Sequence, residues 1–476
     1  MNRHNPMVQP SFISRRRFIG QASCAAVSGI SVFNTLLNLR LAGDIAAANP
    51  PASGEYRALV CLFLNGGNDS FNMLVPRGQS EYAEYAAIRQ NLALAQNSLI
   101  QINPLNDIGK QLGVHPGMPE LANLFEQGNA AFVANVGTLI QPVNKVQFNA
   151  GSVSLPLGLF SHSDQQEQWQ TSVPQSRAGT GWAGRMADLL QSLNNNQKVS
   201  MNISLSGSNI FQAGQSVFEY AITPTGAVAL TGYKSAWQAN DTFNQARSAA
   251  VDGLLAQQYS NLLMKAFANS KRSALDAYDV FANATNVNLP QGATFPSTPL
   301  GPELQMIAKT IAGRTGLDVT RQTFFLQLGG WDHHDEVIAN QQTMLPYVSS
   351  AVGAFYNALV QLGVQNQVTL FTVSDFGRTL TSNGKGSDHA WGGNHFVVGG
   401  GVNGKRIYGT YPALYADNSL DVGRGRLIPT TSADEYFAEL ALWLGVSKTS
   451  LSLVLPNISH FYDTTASTPP LGFLLS

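Results

Sequence analysis

Three short runs of the sequence gather the side chain types that hold metals and move protons. The first is Asn65-Gly66-Gly67-Asn68-Asp69-Ser70-Phe71-Asn72, and the second is Gly329-Gly330-Trp331-Asp332-His333-His334-Asp335. The third, Ser374-Asp375-Phe376-Gly377-Arg378, is followed by Asp388-His389-Ala390-Trp391-Gly392-Gly393-Asn394-His395. Of the 8 histidines, His333, His334, His389 and His395 lie in the last two runs, beside acidic residues. Imidazole mixed with carboxylate suits Zn, Mn or Fe, whereas thiolate sites are excluded by the scarcity of Cys. Two ions a few Å apart would clamp both the attacking and the leaving oxygen of a displacement. Capping of helices and turns accounts equally well for any one of these residues, but poorly for three clusters that each follow an apolar strand.

The elements that must position them are legible as apolar runs. Ala58–Leu64 is continuously apolar and ends in Asn65-Gly66-Gly67, the pattern of a strand buried on both faces and followed by a turn. His115-Pro116-Gly117 opens a helix over Met118–Gln127, stopped by Gly128-Asn129, and Ala130–Val136 reads as a second buried strand. This βαβ pattern predicts an α/β fold with a parallel sheet. It returns after Pro302: helix Glu303–Arg314, strand Gln322–Leu328, helix Val337–Leu362, strands Val368–Val373 and Phe396–Val398, helix Ala433–Leu444. In such sheets, sites form beyond the carboxyl ends of strands, where the three clusters fall. Residues 150–300 are rich in Asn, Gln, Ser and Gly, with a strand-like piece at Val199–Leu205 and helix from Phe243 to Ala284. They read as a cap or insertion over the sheet. Gly399–Gly404 matches GxGxxG, but strand-like Lys405–Gly409 follows where a dinucleotide site needs a helix, so Val402–Lys405 is expected to be a hairpin turn.

The 476 residues, 44% of them hydrophobic, suffice for a large core, and only 12% are charged, against roughly 25% in an average chain. The N-terminus carries Ser14-Arg15-Arg16-Arg17-Phe18-Ile19, a moderately apolar run to about Leu39, and Ala46-Ala47-Ala48. That is the pattern of a twin-arginine (Tat pathway) signal peptide over residues 1–48, an address read by the translocon. It predicts an exported protein, periplasmic or secreted, that crosses the membrane already folded. Removing residues 1–48 leaves 23 basic against 28 acidic residues, a net charge of −5 that offers no field for nucleic acid. No later stretch has the roughly 18 uninterrupted apolar residues of a transmembrane segment. Of the two cysteines, Cys24 lies in the signal and Cys61 in an apolar run, so no internal disulfide is expected after maturation.

Taken together with Phe160-Ser161-His162-Ser163-Asp164-Gln165, the three clusters resemble a twin-arginine-exported bacterial family, a domain of unknown function related to the alkaline phosphatase and sulfatase superfamily. The resemblance covers most of residues 56–475. It implies a three-layer, mostly parallel sheet with helices on both faces, alkaline phosphatase-like, over residues 49–476. It also implies a divalent metal, with Zn, Mn or Ca as candidates, and hydrolysis of a small-molecule or glycan phosphate or sulfate ester. By position, Asp69, Asp332, His334, Asp375, His389 and His395 are the expected metal ligands, with Asn65 and His333 as competitors. Ser70 is the nearest hydroxyl to a nucleophile, Arg378 is placed to neutralise an ester oxygen, and His162 to donate to a leaving group or to bind a metal. Phe376 stands where the superfamily has a ligating His, which puts a second metal and the nucleophile in question. The alternative is a non-catalytic exported binding protein on the same fold.

Overall fold

A computed structural model describes residues 55–234 and 239–475. Residues 1–48, read from the sequence as a signal, with Arg15, Arg16 and Cys24, lie outside the described residues. Ten strands form one sheet: β1 (Arg57–Leu64), β2 (Ala130–Gly137), β3 (Asn202–Ser204), β4 (Tyr220–Thr223), β5 (Gly226–Ala227), β6 (Arg321–Leu328), β7 (Val368–Ser374), β8 (Gly393–Val398), β9 (Ile407–Tyr408) and β10 (Thr431–Ser432). Their order is β9-β2-β8-β7-β1-β6-β3-β4-β5, with β10 also pairing β2. Only the β7/β8, β8/β2 and β4/β5 pairs are antiparallel. The sheet is therefore mostly parallel, as the sequence predicts.

Alternation along β1 divides the core into two layers. Ala58, Val60, Leu62 and Leu64 enter one apolar cluster, while Leu59, Cys61 and Phe63 enter the other. On the first face lie residues of α2 (Pro119–Glu126), α7 (Gly301–Ala312) and α8 (Val337–Gln361), including Phe125, Ile307 and Phe355. On the second lie α4 (Trp182–Leu190) and α9 (Ala433–Leu444), where Trp182 stacks on Phe437 with ring centroids 4.4 Å apart. The remaining helices used below are α1 (Gln79–Arg89), α3 (His162–Thr171), α5 (Thr242–Leu255) and α6 (Leu262–Thr285). No helix among the described residues is long and apolar enough to cross a membrane.

Two expectations change. β1 and β2 are not sheet neighbours: β7 and β8 lie between them, and β2 pairs antiparallel with β8. The strands around Val402–Lys405 do not form a hairpin either, because β8 and β9 sit on opposite sides of β2. Local pattern reveals strands but not which strand fills the gap between them. Residues 202–227 also add three strands beyond β6, so part of the 150–300 segment extends the main sheet.

Register sets the height of the site. Leu64 pairs with Ser374 on one side and with Leu328 on the other, so β1, β7 and β6 end level. Asn65, Asp375 and Gly329 consequently leave the sheet side by side. At the opposite end of α3, Ser172 Oγ donates to Asp434 at 2.9 Å, in the first turn of α9.

Burial pushes the Asp434 carboxyl up to about 7, against the hydrogen bond from Ser172 and the charge of Arg185. The folded chain thus keeps a proton there that the unfolded chain releases near pH 4, so this group's contribution to stability falls as pH rises from about 4 to 7 and is flat above. Asp434→Asn should remove that fall. Urea denaturation should show the variant gaining on the parent chain by about 2 kcal/mol between pH 5 and pH 7.5.

Candidate metal centre

The three strand ends are tied to one another before any functional side chain is placed. Ser374 Oγ donates to the Leu64 carbonyl at 2.6 Å and accepts the Asn68 N–H at 2.8 Å. Asn65 N–H donates to Leu328 O, and Trp331 N–H to Asn65 O. Gly66 takes φ +122°, and a Cβ there would lie 2.5 Å from the Asp332 nitrogen. Only glycine lets the loop carrying Asp332 come this close.

Asp332 is the hub. Its Oδ1 accepts from Arg378 Nη1 at 2.7 Å. It lies 3.0 Å from His334 Nε2, 3.4 Å from His389 Nε2 and 3.4 Å from His162 Nε2. The His334 and His389 Nε2 atoms are 2.8 Å apart. His162, Asp332 and His389 satisfy the spacing of a metal-ligand group, all ligand atoms within 4.8 Å of one another.

Each imidazole is oriented through its other nitrogen. His162 Nδ1 meets Asp375 Oδ2 at 2.6 Å, His334 Nδ1 meets Asp388 Oδ1 at 3.1 Å, and His389 Nδ1 meets the Phe160 carbonyl at 2.7 Å. A carbonyl or ionised carboxylate can only accept, so each Nδ1 carries the hydrogen, and a ring that is neutral turns its Nε2 lone pair inward. Three lone pairs and a carboxylate oxygen then face one another, and His162 Nε2 is buried without a hydrogen-bond partner. A single shared proton would satisfy one pair; a divalent cation would satisfy His162, Asp332 and His389 together, with His334 Nε2 beside them at 3.0 Å from Asp332 Oδ1. The residues present therefore fit such an ion, with ligand types suited to Zn or Mn.

The electrostatics follow from these contacts. Burial raises Asp332, but the Arg378 hydrogen bond and charge, with His334 and His162, hold its carboxyl below the usual range. The hydrogen bond to Asp375 raises His162, against desolvation. Burial lowers His389, opposed by the Phe160 carbonyl. Asp388 is brought down to about 2: burial opposes this, while hydrogen bonds from Asn383, His334 and Arg424 prevail. Asp375 is fully buried; Gly66 N–H donates to its Oδ1 at 3.0 Å and Gln166 Nε2 to its Oδ2 at 2.7 Å.

Several expected site residues stand elsewhere. Asp69 is wholly buried in an ion pair with Arg89, the last residue of α1, and does not face the cluster. Ser70 is buried, and its Oγ accepts the Asn394 N–H at 2.8 Å on the β8 side, away from the Asp332 contacts. His395 projects from β8 between Trp169 and Tyr436, with burial pushing it down to about 3. Arg378 is fully buried, with its fork spent on Asp332, Ser387 and the Gly66 carbonyl; it positions Asp332 and meets no solvent. Asp375 holds His162 in place of a metal. Phe376 packs on both His162 and His389 with ring centroids 4.7 Å away, an apolar wall against both rings. Of the two roles open to His162, proton donor or ligand, its place beside Asp332 and His389 fits the ligand, and His333 is buried beside Trp331. Gln166, which also donates to Asn65 Oδ1 at 2.6 Å, went unnoticed in the sequence. Its only signal is its place four residues after His162, one helical turn along α3.

Fold and site together define a three-layer α/β protein with a three-histidine, one-aspartate cluster at the carboxyl ends of its central strands. The chain belongs to the protein family of unknown function DUF1501, whose model matches residues 56–424. No curated protein matches it. Among solved structures it is similar to Ps i-CgsB in complex with k-i-k-neocarrahexaose, at 10% identity over 83% of this chain and 72% of that one, with a TM-score of 0.32. The PsFucS1 sulfatase from Pseudoalteromonas sp. is similar at 10% identity over 78% and 68%, with a TM-score of 0.29. Wild-type alkaline phosphatase PafA is similar at 16% identity over 69% and 64%, with a TM-score of 0.25. These likenesses are too remote to carry an activity across.

Elemental analysis of chain purified without chelator should find about one divalent ion per molecule. Asp332→Ala and His389→Ala should lose it. Asp69→Ala should keep it while losing roughly 3–5 kcal/mol of stability in denaturant titration, because Arg89 is left as an uncompensated buried charge. Loss of metal in Asp69→Ala at retained fold would return Asp69 to the ligand set.

Proposed function

We propose that this protein is an exported metal-dependent hydrolase of a phosphate, sulfate or related ester, acting with one divalent ion. The observation that carries the reading is the convergence of three imidazole Nε2 atoms on Asp332 Oδ1 at a partly open rim. The side chains of Asp332 and His334 are 44% and 45% exposed, those of His162 and His389 27% and 25%. A ligand set used purely for structure is usually closed; this one leaves a side for substrate. Export in the folded state through the twin-arginine route, the reading of residues 1–48, suits a chain whose metal is inserted before it crosses the membrane.

A divalent cation held here would supply Lewis-acid activation of the ester and of water. The chain's own residues do the rest. Arg378 and Asp388 fix Asp332 and His334, so the reacting group is oriented without rearrangement at the moment of reaction. The Asp375–His162 pair holds a proton at His162 Nδ1 and steadies the ring. Phe376 covers the inner side of His162 and His389, so water reaches the cluster from the rim alone. With Ser70 taken up by Asn394, water rather than a side-chain hydroxyl is the nucleophile.

Ser70 and Phe376 also favour a second reading, a non-catalytic exported binding protein that uses the same ion to hold an anion. Turnover separates the two. The chain matured after Ala48 and loaded with Zn, Mn or Ca should hydrolyse at least one ester in a panel of aryl and glycan phosphates and sulfates, saturably. Asp332→Ala and His389→Ala should lower kcat/KM by about 10³-fold or more, with the circular dichroism spectrum unchanged. Absence of turnover across the panel, or full activity in both variants, would leave the binding reading.

A further inference from the structure

Beside the cluster, a single tight turn presents two arginines. Asp421 Oδ1 accepts the N–H groups of Gly423 and Gly425, both at 2.8 Å, and the Gly425 carbonyl accepts from Leu380 N. Arg424 and Arg426 flank Gly425, and each is tied to a neighbour of a cluster histidine. Arg424 pairs with Asp388, the carboxylate that orients His334. Arg426 donates through Nε to the carbonyl of His389 at 3.0 Å. Its guanidinium lies over the ring of Phe160, 4.9 Å from the centroid, and Phe160 is the residue whose carbonyl orients the His389 ring.

The two differ in one respect. Arg424 is neutralised by Asp388, whereas Arg426 forms no ion pair with any carboxylate among the described residues. It is half-buried, and its two terminal amino groups make no hydrogen bond there. A half-buried cation without a counter-ion is costly to keep, and an aromatic face compensates only part of the lost hydration. Stacking and the Nε anchor immobilise the guanidinium while leaving its two-pronged edge free. That is a pre-organised receptor for an oxyanion, since a planar fork matches carboxylate, sulfate or phosphate in a two-point contact. The anchor on His389 places the receptor next to the metal cluster, not within it.

We infer that Arg426 receives a second anionic group of the substrate, so that the esters taken are those bearing a carboxylate, sulfate or phosphate apart from the group that reacts. The inference rests on the hydrolase reading for the word substrate, but the receptor is testable without turnover. Phenylphosphonate and 4-carboxyphenylphosphonate, neither of them hydrolysable, are titrated calorimetrically into the metal-loaded chain. The chain should bind the carboxylated compound about tenfold more tightly or better. In Arg426→Met the ratio of the two affinities should fall to about one. Arg426→Lys should restore part of it, because an ammonium attracts the carboxylate without the fork.

A ratio near one in the parent chain, binding of neither compound, or a preference that persists in Arg426→Met would overturn the assignment. Metal content is measured on the same samples: its loss in both Arg426 variants would reduce Arg426 to a brace for His389 and overturn the assignment as well. A preference lost only in Arg426→Met, in a chain that turns over no ester, would sink the hydrolase reading and leave Arg426 as an anion receptor.

Discussion

Asp332 Oδ1 is the atom on which the site depends. One Arg378 amino group and three imidazole Nε2 atoms meet it within 3.4 Å, and none of these approaches would survive if the imidazoles were free to turn. The second nitrogen of each ring is tied to Asp375, Asp388 or the Phe160 carbonyl, which come from three different segments of the chain. The tautomer is thereby chosen, and with it the inward lone pair. Taken without a cation, the inward lone pairs and the Asp332 carboxylate concentrate negative potential, offset by Arg378 at Asp332 and by Arg424 at Asp388. The surrounding fold can be understood as the means of enforcing that concentration: three strands ending level, a Gly66 turn that lets two loops touch, and a buried carboxylate at Asp375 saturated by Gly66, Gln166 and His162.

Much of the scaffold was legible because its signal is local. The runs of β1, β6 and β7 are buried over most of their length, being covered on both faces, and each stops at a polar cluster. Strand order was not legible. Two antiparallel partners, β8 and β2, extend the sheet beyond β7, and sequence proximity says nothing about which segment fills an edge. The hub and two of its histidines could be found from their positions after strands. The misassignments share a cause: a residue type was read without its partner. Asp69 looks like a ligand until Arg89, twenty positions later, is seen against it. His395 is near the right loop in sequence, but it projects from a β8 position that faces Trp169 and Tyr436. Arg378 carries the charge an anion would want, and spends it on Asp332.

Phe376 decides how the centre differs from a two-ion arrangement. Asp375, immediately before it, is directed away from the rim and into hydrogen bonds, so this turn supplies an orienting carboxylate and an apolar wall. The consequence is chemical asymmetry. One side of the cluster is dry and fixed by His162 and His389 against the phenyl ring; the other is edged by Asp388, Arg424 and Arg426 and faces solvent. Under the proposed one-ion reading, charge built up on a leaving oxygen would have no second metal to meet it. Stabilisation must then come from fixed cations and dipoles near the rim, where an arginine without a carboxylate partner is worth most, because its field is not already cancelled. In the proposed one-ion hydrolase the rim arginines, and not the buried Arg378, are thus the part of the chain on which recognition of an anionic ester has to turn.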